Sequence, residues 1–427
     1  MPVAYEKERQ SAGMKTGKML LTLLIHLVIG IALGIGLLTL VYCIPTIEIE
    51  KHVKSSAIDV IEKEGLYPEI THAATSYLDN WTDSIMLASA AHPNQSSPVT
   101  EAMRVSRFVA SEFPDESLVI WAKTGEYIYE DNYPQYWHGY LLLLKPLLVL
   151  TDYRGIRILN GVCQTALTLT IAGLLWKKNR KEIVLPWLIS IAMLMPIAMA
   201  KCMQFSSCYY VFSLASLAVL CRRKHEDLFF VFLWAGIATA FFDFLTYPIS
   251  TFGIPAVFYL IDSSEAEWKQ KLKNVLLFFL VWAAGYGLMW GGKILFGGML
   301  GGLNSLQETG NHVGHWFDGS RWFSVAYVFY FNVRDFIYTP VSFVAFAFAL
   351  ALAVSILRKK AMNGKMLQGC IPFLVLAILP FLWYLFLFNP SGIHHFFTNK
   401  ACVVCAFSLL SMLAVCLRES SQPAGSE

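Results

Sequence analysis

Two aspartates four residues apart, Asp79 and Asp83 in "LDNWTDSIMLASA", are the first side chains in the sequence equipped for acid–base work. On a helix this spacing places both carboxylates on one face. One reading is structural, with Asp83 capping the helix through "SIMLASAA" at its positive N-terminal end. The other makes Asp83, or else Asp79, a general base that takes the proton from an acceptor hydroxyl at a membrane surface. An ordinary aspartate is a weak base, so that reading needs a positioned acceptor and a departing phosphate.

Four further stretches carry polar groups in unusual settings. In "YPQYWHGYLLLLKP", Tyr136 and Trp137 suit a headgroup region. His138 and Lys145 are less readily explained there: Lys145 either snorkels to the interface or neutralises the phosphate of a lipid-linked substrate. In "FFDFLTYP", Asp243 sits just inside the end of an apolar run, where an acid is costly and is a functional candidate; a satisfied structural acid is the rival. In "NHVGHWFDGSRW", His312, His315 and Asp318 could approach one metal. A loop with Gly hinges that covers bound substrate, with Arg321 as a phosphate contact, is the favoured reading. In "NPSGIHHFFTNK", His394, His395 and Lys400 form a compact donor cluster suited to phosphate, or else a polar cap on the helix that follows.

The elements that must position these groups follow from composition. Apolar residues make up 56% of the 427 residues, charged residues only 15%, and the mean hydropathy is +0.52. Lipid must therefore be part of the solvent. A net charge of +3 is too small to suggest a nucleic-acid partner. The expected fold is an all-α integral membrane protein with about ten spans. These fall near 19–44, 155–176, 183–202, 205–221, 228–245, 247–262, 274–294, 339–357, 367–388 and 397–416.

Basic clusters orient the chain, because cytoplasmic loops carry the excess of Lys and Arg. The clusters are Lys7 to Lys18, "KKNRK" at 177–181, "RRK" at 222–224, Lys269 to Lys273 and "RKK" at 358–360. All fall inside if 136–150 lies along the outer interface instead of crossing. The N-terminus 1–18 and the tail 417–427 are then cytoplasmic. The loops 45–154 and 295–338 lie outside a multi-pass cell-membrane domain, 19–416. Every candidate residue above shares that extracytoplasmic face. The nine cysteines have no metal spacing; Cys202 and Cys208 could pair, and most of the others read as buried small hydrophobes.

This pattern resembles the GT-C class of polytopic glycosyltransferases, in particular a bacterial branch of the kind placed in surface-polysaccharide gene clusters. The resemblance rests on a first span followed by a long outer loop with an acid just before a helix, here Asp83 or Asp79. It rests also on an interfacial helix with a Lys-Pro step, Lys145-Pro146, followed by Arg157 and a span ending in "KKNRK". Asp83 is followed by Ser84, where the class usually has a second acid. By implication the donor is a polyprenyl-phosphate-linked sugar and the acceptor a glycan or lipid. Inversion follows from a single displacement, with His138, Lys145, Asp243, Arg321, His394, His395 and Lys400 near the donor phosphate. A divalent metal is expected to be unnecessary or held loosely by the acids. A flippase for lipid-linked glycans, or an O-antigen-type polymerase or ligase, remains open on the same residues.

Overall fold

In the computed structural model, the described residues are 2–263, 267–304, 307, 310, 314, 324–359 and 364–420, with side chains from 17 onward. The chain is overwhelmingly helical. Among the described residues, the one sheet is a two-stranded antiparallel pair in the first long loop, Ser106–Val109 against Tyr129–Asn132. Among the described residues, seven helices are long and apolar enough to cross a membrane. They are Gly17–Val41, Tyr153–Lys177, Met203–Cys221, Trp268–Gly301, Pro340–Arg358, Gly364–Phe386 and His395–Glu419. Asp227–Phe242 and Ser250–Asp262 are shorter apolar helices, as is Leu141–Leu150. The apolar run 183–202 is broken into Val184–Met193 and Pro196–Lys201. Met195 has φ 56° there and Pro196 starts the second piece, because proline cannot donate into the preceding turn.

Helix starts are written locally. Asp152 accepts Gly155 N–H at 2.9 Å and opens Tyr153–Lys177. Thr339 caps Ser342 N–H at 3.3 Å, with Pro340 at the first helical position. The tightest helix pair is Asp227–Phe242 against Trp268–Gly301. A Cβ on Gly236 would stand 2.1 Å from Trp282 O, and one on Gly285 2.5 Å from Leu233 O. Close backbone approach at small residues is how helices gain packing where lipid removes the hydrophobic drive.

Ion pairs gather one end of the bundle. Lys178 and Arg222 reach Asp262 at 3.2 and 3.0 Å, and Arg418 reaches Glu182 at 2.6 Å. The clusters at 177–181 and 222–224 therefore share an end with the start of the tail. The first long loop packs on the opposite end. Its helix Asn80–Ala91 is buried along nearly its whole length.

Candidate functional site

Asp79, not Asp83, caps the helix Asn80–Ala91, which corrects the capping reading made from sequence. Its carboxylate accepts Thr82 N–H at 3.1 Å and Thr82 Oγ1–H at 2.8 Å. The side chain is nearly fully buried. Loss of water is the main reason that its carboxyl is pushed up to about 6; Thr82 pulls in the other direction, and the neighbouring charge of Asp83 adds to the rise.

Asp83, one turn further along, faces a different helix. Its Oδ2 accepts Met203 N–H at 3.0 Å and its Oδ1 accepts Gln204 N–H at 3.1 Å. These are orphan donors at the start of Met203–Cys221, so a carboxylate from the first loop caps a helix of the bundle. Tyr153 Oη–H also donates to Oδ2, and Cys202 Sγ lies 3.8 Å from Oδ1. Burial raises the Asp83 carboxyl as well. Nearby, Arg157 pairs with Glu64 at 2.7 Å and reaches Asn80 Oδ1 at 3.3 Å. Cys202 and Cys208 have separate neighbours, the latter Thr246 Oγ1 at 3.5 Å, and all nine cysteines are free thiols.

The buried lysines meet backbone carbonyls, two of them at helix ends. Lys145 Nζ donates to Ala90 O at 3.1 Å, in the last turn of Asn80–Ala91, and lies over the Tyr42 ring at 4.4 Å. Lys293, which the sequence reading did not single out, donates to Met103 O at 2.9 Å at the end of Pro98–Arg104. Lys400 donates to Thr75 O at 2.9 Å and sits over Phe205 at 4.2 Å. An ammonium at a helix C-terminus answers both its unpaired carbonyls and its dipole.

Two other sequence candidates are similarly occupied. Asp243 accepts Thr246 N–H at 3.0 Å and also Thr246 Oγ1–H, closing the turn in which Leu245 has φ 62°. His138, itself at φ 57°, lies 2.7 Å by Nε2 from Tyr133 O and 3.2 Å by Nδ1 from Tyr140 Oη. The carbonyl can only accept, so Nε2 carries the proton and Nδ1 accepts from the phenol. Burial holds that imidazole well below its ordinary pKa, so it is neutral.

The "HHFFTNK" segment packs against the first loop and against Val325–Ile337. Thr75 Oγ1–H donates to Asn399 Oδ1 at 3.1 Å, beside the Lys400 contact. His394 is pushed down to about 4, first by burial and then by His395. His395 Nδ1 lies 2.5 Å from Oδ2 of Asp335, a residue that sequence reading missed. Arg334 holds the other oxygen of Asp335 at 2.8 Å through Nε. The site thus joins Asp79, Asp83, His394, His395 and Lys400 at one end of the bundle. Lys145, His138 and Asp243 hold the structure around it.

Arg321, His312, His315 and Asp318 lie outside the described residues. Among the described residues, no three His, Cys, Asp or Glu side chains converge to hold a metal. No protein-family model matches the chain, and neither the curated proteins nor the solved structures gave a match.

Proposed function

We propose that the protein is a membrane glycosyltransferase. It would move a sugar from a polyprenyl-phosphate donor to a glycan or lipid acceptor on the extracytoplasmic face, in the making of cell-surface polysaccharide. The observation that carries this reading is the setting of Asp79. Its carboxyl, pushed up to about 6, is a stronger base than an ordinary aspartate while still ionised at neutral pH. It lies four residues from Thr75, whose carbonyl holds the ammonium of Lys400 at 2.9 Å. A base and a cation from opposite ends of the chain are thereby brought to one region. Asp79 removes the acceptor proton, the acceptor oxygen attacks the anomeric carbon, and Lys400 offsets charge on the leaving phosphate. Asp83 holds the two supporting helices together. No step requires a metal.

The test is complementation of a strain lacking the gene, with surface-glycan composition as the readout and membrane insertion checked in parallel. Asp79→Asn keeps an oxygen for the cap and removes the base, so the expected result is an inserted protein and a glycan missing one sugar. An inserted Asp79→Asn protein that restores the full glycan would overturn the reading and favour a flippase.

A further inference from the structure

Three cationic or imidazole groups of the final segment stand near the site, but their surroundings differ. Lys400 is fully buried, with its ammonium on Thr75 O and over an aromatic ring. His394 is stacked on Phe397 at 4.9 Å between ring centroids. His395 keeps a side chain 23% exposed while one ring nitrogen is fixed. Its Nδ1 meets Asp335, which is 1% exposed, and Arg334 neutralises that carboxylate from the other side. Phe331 and Tyr327 flank the ring, at 5.1 and 6.4 Å. The partner of Nδ1 is a carboxyl oxygen held by a guanidinium, which accepts, so Nδ1 is the donor. All proton exchange with a ligand therefore runs through Nε2, which has no partner among the described residues. A buried carboxylate that fixes one imidazole nitrogen while the other faces the reacting group is the arrangement that makes histidine an efficient acid–base catalyst.

We propose that His395 is the general acid of the reaction and that Asp335 is its positioning residue. The inference rests on the sugar-transfer reading above and deepens it by assigning the fate of the leaving group. The bond between the anomeric carbon and the phosphate oxygen breaks as the bond to the acceptor oxygen forms. The acceptor proton passes to Asp79, and the Nε2 proton of the imidazolium passes to the departing phosphate. The products are the glycoside, polyprenyl phosphate with one proton gained, and a neutral imidazole still bonded to Asp335. Solvent then returns the proton from Asp79 to His395. Nothing is oxidised or reduced.

The test uses the full chain, purified in detergent, with two probes. The first is a panel of undecaprenyl-phosphate-linked radiolabelled hexoses, from which transfer or release of sugar is measured. The second is farnesyl phosphate, whose binding is followed by its 31P resonance. His395→Gln keeps an N–H that can reach Asp335, so it should fold. The expected result is a fall in kcat of about 10²- to 10⁴-fold with KM little changed. Asp335→Asn should lower kcat in the same way, and the double variant should be no worse than His395→Gln alone, because the pair acts as one unit. A His395→Gln protein with unchanged kcat, or with a change in KM only, overturns the assignment. If wild type uses no donor in the panel, the sugar-transfer reading fails. Farnesyl phosphate then decides separately: a 31P shift that depends on His395 retains a phosphate facing Nε2, and its absence overturns the dyad too.

Discussion

Asp83 and Gln204, 121 positions apart, are joined by a hydrogen bond of 3.1 Å from the backbone of one to the carboxylate of the other. Asp79, one turn earlier, spends its carboxylate on its own helix. The two acids look interchangeable in the sequence, but they answer to different helices, and substitution should separate them.

Asp83→Asn should destabilise the protein. An amide supplies one acceptor where the carboxylate serves Met203 N–H, Gln204 N–H and Tyr153 Oη–H, and its NH2 would face donors. The expected loss is about 1.5–3 kcal/mol. It should appear as a lower unfolding temperature in detergent. Asp79→Asn, where asparagine is as good a cap as aspartate, should unfold no more easily than wild type. Equal losses in the two variants would refute the assignment of caps.

The carboxyl of Asp79 also gives a pH test. Its folded-state pKa, raised to about 6, lies above the ordinary value of 3.8, so the folded chain holds this proton more tightly than the unfolded one. The stabilising contribution is complete below 3.8 and is lost as pH rises through about 6. Between those limits wild type should lose stability relative to Asp79→Asn as pH rises. Sugar transfer should do the opposite and gain an acid limb near pH 6, since the base must be ionised. A limb near pH 4 would remove Asp79 from that role.

Gly236→Ala should weaken the pairing of Asp227–Phe242 with Trp268–Gly301. The added methyl would meet Trp282 O at 2.1 Å, backbone against side chain, with no flexible group to yield. Overpacking of this kind costs about 1–3 kcal/mol. Gly287→Ala is the control, since its Cβ would meet nothing within 4 Å. Thermal unfolding of both variants, side by side, would decide the point.

Cys370 and Cys416 offer a check on the last two long helices, as their sulfurs lie 3.5 Å apart. A disulfide needs about 2.05 Å, a short approach for two flexible side chains. Copper–phenanthroline oxidation should therefore link them, and peptide mass spectrometry would report the pair. Failure to cross-link, with both thiols oxidised singly, would count against this packing.

Much of the frame was legible in the sequence because it depends on local composition. Apolar runs mark the helices, while their starts at Asp152 and at Thr339 with Pro340 came from the structure. The site was legible only in part. Asp79 and Asp83 are both good first-turn residues, and sequence alone does not say which of them lies outside the helix. Nor does it show that Asp83 would find a second helix to cap. Lys145 and Lys400 were visible as cations among apolar residues, but not the carbonyls of Ala90 and Thr75 that receive them. Asp335 looked like an ordinary charge beside Arg334, because its meaning comes from His395, 60 residues further on.

The contacts of Thr75 with Asn399 and Lys400 span 324 and 325 positions. Residues 399 and 400 must therefore be synthesised before the Thr75 turn of the first loop can reach its resting place. Until then this turn, already translocated in the topology proposed here, lacks the cation that holds Thr75. Docking is thus staged along the chain: Asp83 can meet Met203 and Met103 can meet Lys293 earlier, whereas the turn at Thr75 gains its partners last.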